Sequence, residues 1–166
     1  MTLTELKQKI TDDEDVTAVD TSEITNMSGL FNGNTTFNQN IGNWDVSNVT
    51  DMSGMFCDAE AFNQDISKWN VSNVTSMCTM FHKARSFNQD ISKWNVDNVT
   101  RSPYMFYSAE AFSQDISTWT MSNNIDLRLM FCNTPNFNNN ISHWQLPPGH
   151  DITDIFKEDT SEDEQD

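Results

Sequence analysis

The sequence predicts a repeat solenoid, in which short similar coils stack and bury their apolar residues between neighbours. The first observation is that FNQDISKWNV occurs twice, at 62–71 and 87–96, and the sequence aligns with itself at an offset of 25 residues. The second is that aromatic residues keep to a few positions of the repeat, and the third is a change in apolar spacing within it. A unit that cannot bury its apolar face alone is stabilised by a neighbour of the same shape.

Each copy is numbered from its phenylalanine position, so that six copies cover 12–161. The five tryptophans share position 8, and the eleven phenylalanines share positions 1 and 20. We predict that these columns form a structural core ladder. Its members are Trp44, Trp69, Trp94, Trp119, Trp144, Phe56, Phe81, Phe106 and Phe131. The alternative for the tryptophan row is an exposed stacking surface for sugars or bases.

The two halves of a copy differ in apolar spacing. Ile66, Trp69 and Val71 are three and then two residues apart, which predicts a short extended segment. The residues from Val74 to Phe81 follow at spacings typical of a helical or 3₁₀ turn. The pattern therefore places strands on one side of the coil and short turns on the other.

The two ends of the chain differ from the repeats. Leu3, Leu6 and Ile10 recur at helical spacing, and Thr2 with Glu5 forms a capping-box pattern, so we predict a capping helix over 1–11. The last of the six repeats in 12–161 are degenerate, which is typical of copies that cap a stack. Residues 162–166 are predicted to be an acidic, disordered tail.

Charge and composition narrow the classes of partner. A net charge of -16 with nine Lys and Arg argues against nucleic acid, which is bound through clustered cations. Neither a membrane-spanning apolar run nor a signal peptide is present, so we expect no membrane insertion. The three cysteines suggest free thiols, and we expect a monomer without a cofactor.

The run FNQDISKWNVSNVTSMCTMFHKARS, at 62–86, carries a family resemblance. It resembles the repeat of BspA-like leucine-rich repeat surface proteins, in particular the branch in mycoplasma lipoproteins that forms a domain of unknown function. The resemblance implies a leucine-rich-repeat-like, right-handed coil with a short-stranded parallel sheet on one face and short helical or 3₁₀ turns on the other. It also implies attachment or protein binding at a cell surface or in the secreted state, with no catalytic residues. Because no signal peptide is present, a cytoplasmic location stays open.

Two columns have residues that could bind metal. Asn40, Asp65, Asp90, Asp115 and Asn140 share position 4, where carboxylates on adjacent coils could bind calcium or, alternatively, satisfy local turns. Cys57 and His82 share position 21, with Cys78 four residues before His82, which is a weak candidate for a zinc site or thiol enzyme. We interpret position 21 as a variable surface column.

The predicted exposed face of the sheet is formed by positions 7 and 9. Its residues are Asn43, Asp45, Lys68, Asn70, Lys93, Asn95, Thr118 and Thr120. The favoured hypothesis is a non-enzymatic recognition or adhesion module that binds a protein or glycan through this face. The alternative is a structural building block that self-associates end to end, and a zinc or thiol enzyme is the remote one.

Overall fold

The computed structural model describes residues 1–120, 125–144, 146, 148–149 and 151–157. Helix α1 spans Leu3–Thr11 and helix α2 spans Thr153–Phe156. Between them, the described residues form turns and isolated parallel β-bridges, and none of them forms a continuous β-strand. The predicted tail at 162–166 lies outside the described residues, as does Gln145 in the position 9 column.

The prediction of a leucine-rich-repeat-like coil with a parallel sheet is wrong. In the described part of the chain, the bridges join one residue per copy, from Asn26 through Asp51, Ser76 and Arg101 to Asp126. A strand needs consecutive paired residues, and here the pairing does not extend along the backbone. The predicted sheet face is therefore not part of a sheet.

Most backbone-to-backbone hydrogen bonds between copies fall in the half that was predicted to be a helical turn. The N–H groups of Met52, Gly54, Phe56 and Asp58 donate to carbonyls of the next copy at 3.0, 2.7, 2.9 and 2.8 Å. In this segment, the N–H groups of every second residue thus donate to the copy that follows in the sequence. The chain also turns locally, since the N–H of Met55 donates to Met52 and that of Cys57 donates to Gly54, both at 3.1 Å.

Left-handed backbone at two positions in each of the first five copies makes this arrangement possible. Position 18 has φ of 62° at Gly54 and 53° at Thr79, and position 22 has φ of 55° at Asp58. Such residues reverse the local direction of the chain, so overlapping turns replace a continuous helix. The sequence spacing alone did not distinguish these turns from a 3₁₀ helix.

The half that was predicted to be a strand folds as turns. The N–H of Trp69 donates to the carbonyl of Ile66 at 3.1 Å, so the three-residue spacing between them marks a turn. Asp65 starts it, because its Oδ1 accepts the N–H of Ser67 at 2.9 Å. Within the described chain, residues 66–71 make no backbone-to-backbone hydrogen bond with a neighbouring copy.

Stacked aromatic rings run through the centre of the structure. At position 20, Phe56 and Phe81 have ring centroids 5.5 Å apart, and at position 1, Phe62 and Phe87 are 6.0 Å apart. Phe56 and Phe62 bring the two columns together at 3.9 Å. Each fully buried phenylalanine contributes about 1.5–3 kcal/mol through burial. These columns hold neighbouring copies together where a sheet is absent.

The two ends of the stack are covered differently. Helix α1 buries Leu6 completely in the core, and Thr2 caps the helix by accepting the N–H of Glu5 at 3.2 Å. At the other end Ile155 is buried, whereas Phe156 is 42% exposed while its ring lies 5.8 Å from that of Phe131. The front of the stack is thus sealed by a helix, and the back leaves one aromatic ring partly open.

Candidate functional site

Positions 7 and 9 form an exposed surface, which we call the turn face. The Trp between them is buried in the five copies that have one, so the side chains there alternate outward, inward and outward. These residues lie on turns and irregular backbone rather than on the sheet that was predicted. The turn face consists of Asn43, Asp45, Lys68, Asn70, Lys93, Asn95, Thr118 and Thr120.

Local turns fix the backbone at position 9. Oδ1 of Asn70 accepts the N–H of Ser72 at 3.2 Å and its hydroxyl at 2.7 Å. Oδ1 of Asp45 accepts the N–H of Ser47 at 2.9 Å, and the Ser47 hydroxyl and N–H lower the pKa of Asp45. Nδ2 of Asn70 and Oδ2 of Asp45 take no part in these bonds. The column therefore presents hydrogen-bond donors and acceptors on a constrained backbone.

The lysines at position 7 lie three residues after aspartates at position 4. Both lysines, Lys68 and Lys93, are exposed. Ser67 lowers the pKa of Asp65 through its hydroxyl and N–H, with a smaller contribution from the charge of Lys68. The same holds for Asp90, with Ser92 and Lys93. Lys68 and Lys93 of the turn face therefore lie beside Asp65 and Asp90, and the four side chains do not form a basic patch.

Thr118 lies further along the same column. It donates its hydroxyl to the carbonyl of Ser92 at 3.2 Å. Thr120, at position 9, donates its hydroxyl to a carboxylate oxygen of Asp97. Both threonines are exposed, so their methyl groups and remaining lone pairs form the surface at this end of the turn face.

The repeated SNVT motif has a structural role that the sequence reasoning missed. Nδ2 of Asn73 donates to the carbonyl of Ser47 at 2.7 Å, and Oγ1 of Thr75 donates to that of Thr50 at 3.2 Å. Both bonds reach the preceding copy. The signal was the recurrence of NVT at 25-residue intervals, at 48–50, 73–75 and 98–100.

The NQD motif likewise joins adjacent copies. Oδ1 of Asn63 accepts the N–H of Asn88 and an amide hydrogen of Gln89, both at 2.9 Å. The position 4 aspartates, proposed as a calcium column, use Oδ1 in turns, as Asp90 does with the N–H of Ser92 at 2.9 Å. The described residues contain no group of three or more His, Cys, Asp or Glu that could bind a metal ion.

Cys57, Cys78 and His82, the weak candidate for a zinc site, are among the described residues and do not form such a group. Burial and the hydrogen bond to Asp58 raise the pKa of Cys57 to about 12, so its thiol is protonated at neutral pH. Cys78 lies with its sulfur 3.3 Å from the hydroxyl of Ser76. A protonated thiol is a poor nucleophile, which disfavours thiol chemistry at Cys57.

Position 21 is exposed at the two ends of the column, Asn32 and Lys157, but its middle is not the surface that was predicted. Cys57 and His82 are half-buried, Tyr107 is buried and Cys132 is fully buried. The His82 ring stacks on that of Tyr107 with centroids 4.8 Å apart. Nδ1 of His82 is buried without a hydrogen-bond partner, and burial lowers the pKa of this histidine. The middle of the column belongs to the packing of the stack.

Comparisons with known proteins give one match. A family model described as "Mycoplasma protein of unknown function, DUF285" matches residues 2–119 and also residues 72–165. No curated protein matches the chain, and no solved structure does. Among the described residues, neither helix has the length and apolar character required to cross a bilayer. The match supports a mycoplasma-type repeat family, and its description assigns no function.

Proposed function

We propose that this chain, which belongs to the DUF285 family of mycoplasma proteins of unknown function, is a recognition module that binds a protein or glycan through the turn face. The observation that supports the proposal is the alternation at positions 7 to 9. A buried tryptophan recurs in five of the six copies, whereas the exposed residues beside it differ between copies, except in the two that share FNQDISKWNV and both carry Lys at position 7 and Asn at position 9. The constant positions build the stack, and the variable exposed ones are free to contact a partner.

The rigidity of the turn face favours recognition. Asn70 and Asn95 are tied to the backbone two residues later, and the tryptophan between positions 7 and 9 anchors each turn in the core. A surface whose backbone is already ordered loses little conformational entropy on binding. Such a surface also keeps Lys68 and Lys93 at a fixed repeat spacing.

The chemistry of the turn face indicates polar contacts. The five tryptophan rings are buried, so they offer no exposed platform for sugar stacking. Amides, hydroxyls and the Asp65–Lys68 and Asp90–Lys93 pairs instead offer donors and acceptors of both charges. The sequence resemblance to BspA-like surface proteins adds the finer proposal that binding serves attachment. We infer that the module is not an enzyme.

The test compares partner binding by two charge-reversed variants. Lys68→Glu/Lys93→Glu changes the turn face, and Lys7→Glu/Lys157→Glu makes the same change in net charge at exposed sites elsewhere. Each variant is first matched to the unmodified chain in thermal stability. All three are then applied to a glycan array and to protein extracts, and any captured partner is measured by surface plasmon resonance.

We expect the turn-face variant alone to lose binding by about tenfold or more, as for the loss of charged contacts in an interface. Equal loss in both variants would indicate general electrostatics rather than a site. Retention of the partner by both would place the contact outside the turn face.

A second candidate function is end-to-end self-association as a structural building block. The partly exposed ring of Phe156, which continues the position 20 column, favours it. The charge of -16 opposes it, because like copies repel. We therefore expect a monomer in sedimentation equilibrium. A mass that rises with protein concentration, and falls back in Phe156→Ser, would favour the building block.

A further inference from the structure

The first copy has a row of backbone carbonyls without donors. In the second copy, the carbonyls of Asp51, Ser53, Met55 and Cys57 accept N–H groups from the first copy at 2.8–2.9 Å. The equivalent carbonyls in the first copy accept no hydrogen bond from any described residue, because the segment before this copy is helix α1 and not another series of turns. They belong to Asn26, Ser28, Leu30 and Asn32, which we call the front edge.

A groove adjoins the front edge where helix α1 begins. It has a volume of about 330 Å³ and is lined by apolar side chains of Met1, Leu3 and Ile24, with the carboxylate of Glu23 beside them. Helix α1 covers the core through Leu6 but makes no backbone hydrogen bond to the front edge among the described residues. The edge and groove are thus neighbours that share Asn26.

We propose that the front edge and this groove bind an extended, basic polypeptide segment of a partner protein. The four carbonyls of the front edge are acceptors, so the ligand must supply donors to them, while the neighbouring N–H of Thr25, whose equivalents at Thr50 and Thr75 donate to the preceding copy, can pair with a ligand carbonyl. An extended segment presents N–H groups from alternate residues on one side, and the acceptors of the front edge likewise lie on alternate residues. Within the stack, the segment that pairs with these acceptors is another series of turns, and its N–H donors also lie on alternate residues.

Side chains support the same choice of ligand. The amides of Asn26 and Asn32 are exposed at the edge, where their hydrogens can pair with carbonyls of the incoming segment. Glu23 and the exposed acidic residues at 12–15 lie in this first copy, and the whole chain carries -16. A basic segment is therefore attracted, whereas an acidic polymer such as a sulfated glycan is repelled.

The probe for the test is a short, fluorescently labelled peptide of alternating lysine and valine. Two further versions carry N-methyl groups on one or the other set of alternate residues, which removes the N–H donors from one side only. The binding of each is measured by fluorescence anisotropy. We expect the unmethylated peptide to bind and one methylated version to bind about tenfold more weakly, as for the loss of two hydrogen bonds. A glutamate–valine peptide should not bind.

Two charge reversals locate the contact. Glu23→Lys lies in the groove, and Glu110→Lys makes the same change at an exposed residue three copies away. Only Glu23→Lys should weaken binding, while Lys68→Glu/Lys93→Glu should not, so the result is independent of the turn face. Equal binding of both methylated peptides, equal effects of the two reversals, or no binding of the basic peptide would each overturn the proposal.

Discussion

Trp69 donates its indole N–H to the carbonyl oxygen of Ile41, which lies in the preceding copy, over 3.1 Å. The same carbonyl accepts the N–H of Trp44 at 3.0 Å, so one oxygen joins a local turn to a contact between copies. Trp94 repeats the arrangement with Ile66 at 3.2 Å. Nε1 of Trp144, in contrast, is buried without a partner among the described residues.

This difference predicts unequal effects of one substitution at two positions. Trp69→Phe removes ring volume and a hydrogen bond, whereas Trp144→Phe removes the same volume without one. We expect Trp69→Phe to lower the free energy of unfolding by about 0.5–1.5 kcal/mol more than Trp144→Phe does. Urea denaturation followed by circular dichroism measures both. If the two variants lose equal stability, the indole hydrogen bond contributes nothing.

The sequence predicted which residues are buried better than it predicted the backbone. Periodic columns such as Trp69 and Phe81 report burial, because a residue that packs between copies must recur once per copy. The same periodicity does not report backbone direction. The Ile66–Trp69 spacing fits both an inward-facing strand and a turn, and only the hydrogen bond from Trp69 to Ile66 distinguishes them. The left-handed residues were also hidden, because Thr79 occupies a position that glycine fills at Gly54.

Thr79 and Gly54, which both occupy position 18, predict opposite changes in stability when each is substituted. Thr79 has φ of 53° and Gly54 has φ of 62°, a region that costs a residue with a side chain about 1–2 kcal/mol. We expect Thr79→Gly to raise the free energy of unfolding by about 0.5–1 kcal/mol, after allowance for the greater entropy of glycine in the unfolded chain. Gly54→Ala should lower it by about 1 kcal/mol.

A Cβ added at Gly54 would meet its nearest side-chain atom, Oγ1 of Thr79, at an ordinary 3.5 Å, so the expected loss comes from the backbone. Differential scanning calorimetry compares the two variants with the unmodified chain. A lower melting temperature for Thr79→Gly would show that the threonine side chain stabilises the turn more than its backbone strain costs.

The asparagine at position 2 predicts a substitution that a second substitution can rescue. Oδ1 of Asn63 accepts the N–H of Asn88 and an amide hydrogen of Gln89 in the next copy. We expect Asn63→Ala to cost about 1 kcal/mol of stability, because both donors must turn to water. Asn63→Asp retains the acceptor and should keep most of the stability at neutral pH. Equal losses in the two variants, measured by urea denaturation, would contradict the role of Oδ1.

The sequence predicted the exposed residues at positions 7 and 9, but it did not predict the front edge. Positions 7 and 9 were identified from the alternation about Trp69, and their exposure follows from that alternation whether the backbone is a strand or a turn. The front edge lies at the end of the stack, where its carbonyls lose the partners that every other copy has. A repeat pattern describes the average copy, so it does not identify the chemistry of the first one.

His82 predicts that acid weakens the stack. Its Nδ1 is buried without a partner, and burial lowers the pKa of His82 from the ordinary 6.5, with Lys83 acting in the same direction and Asp58 opposing it. A histidine with a lowered folded pKa contributes stability above the unfolded pKa, and that stability is lost as the pH falls towards the folded pKa. The ring that stacks on it is that of Tyr107, and Cys57, which holds the same repeat position in the preceding copy, has a thiol that is protonated in this range.

We expect the melting temperature of the unmodified chain to fall between about pH 7.5 and pH 5, and to fall less in His82→Tyr. Tyrosine keeps the stacking, since Tyr107 occupies the same position in the next copy. His143→Gln removes an exposed histidine and is the matched control, which should follow the unmodified chain. The position 4 aspartates, whose pKa values are lowered by serine hydroxyls and N–H groups, lose their contribution only at more acid pH. If all three proteins lose stability in parallel over this range, His82 is not the group responsible.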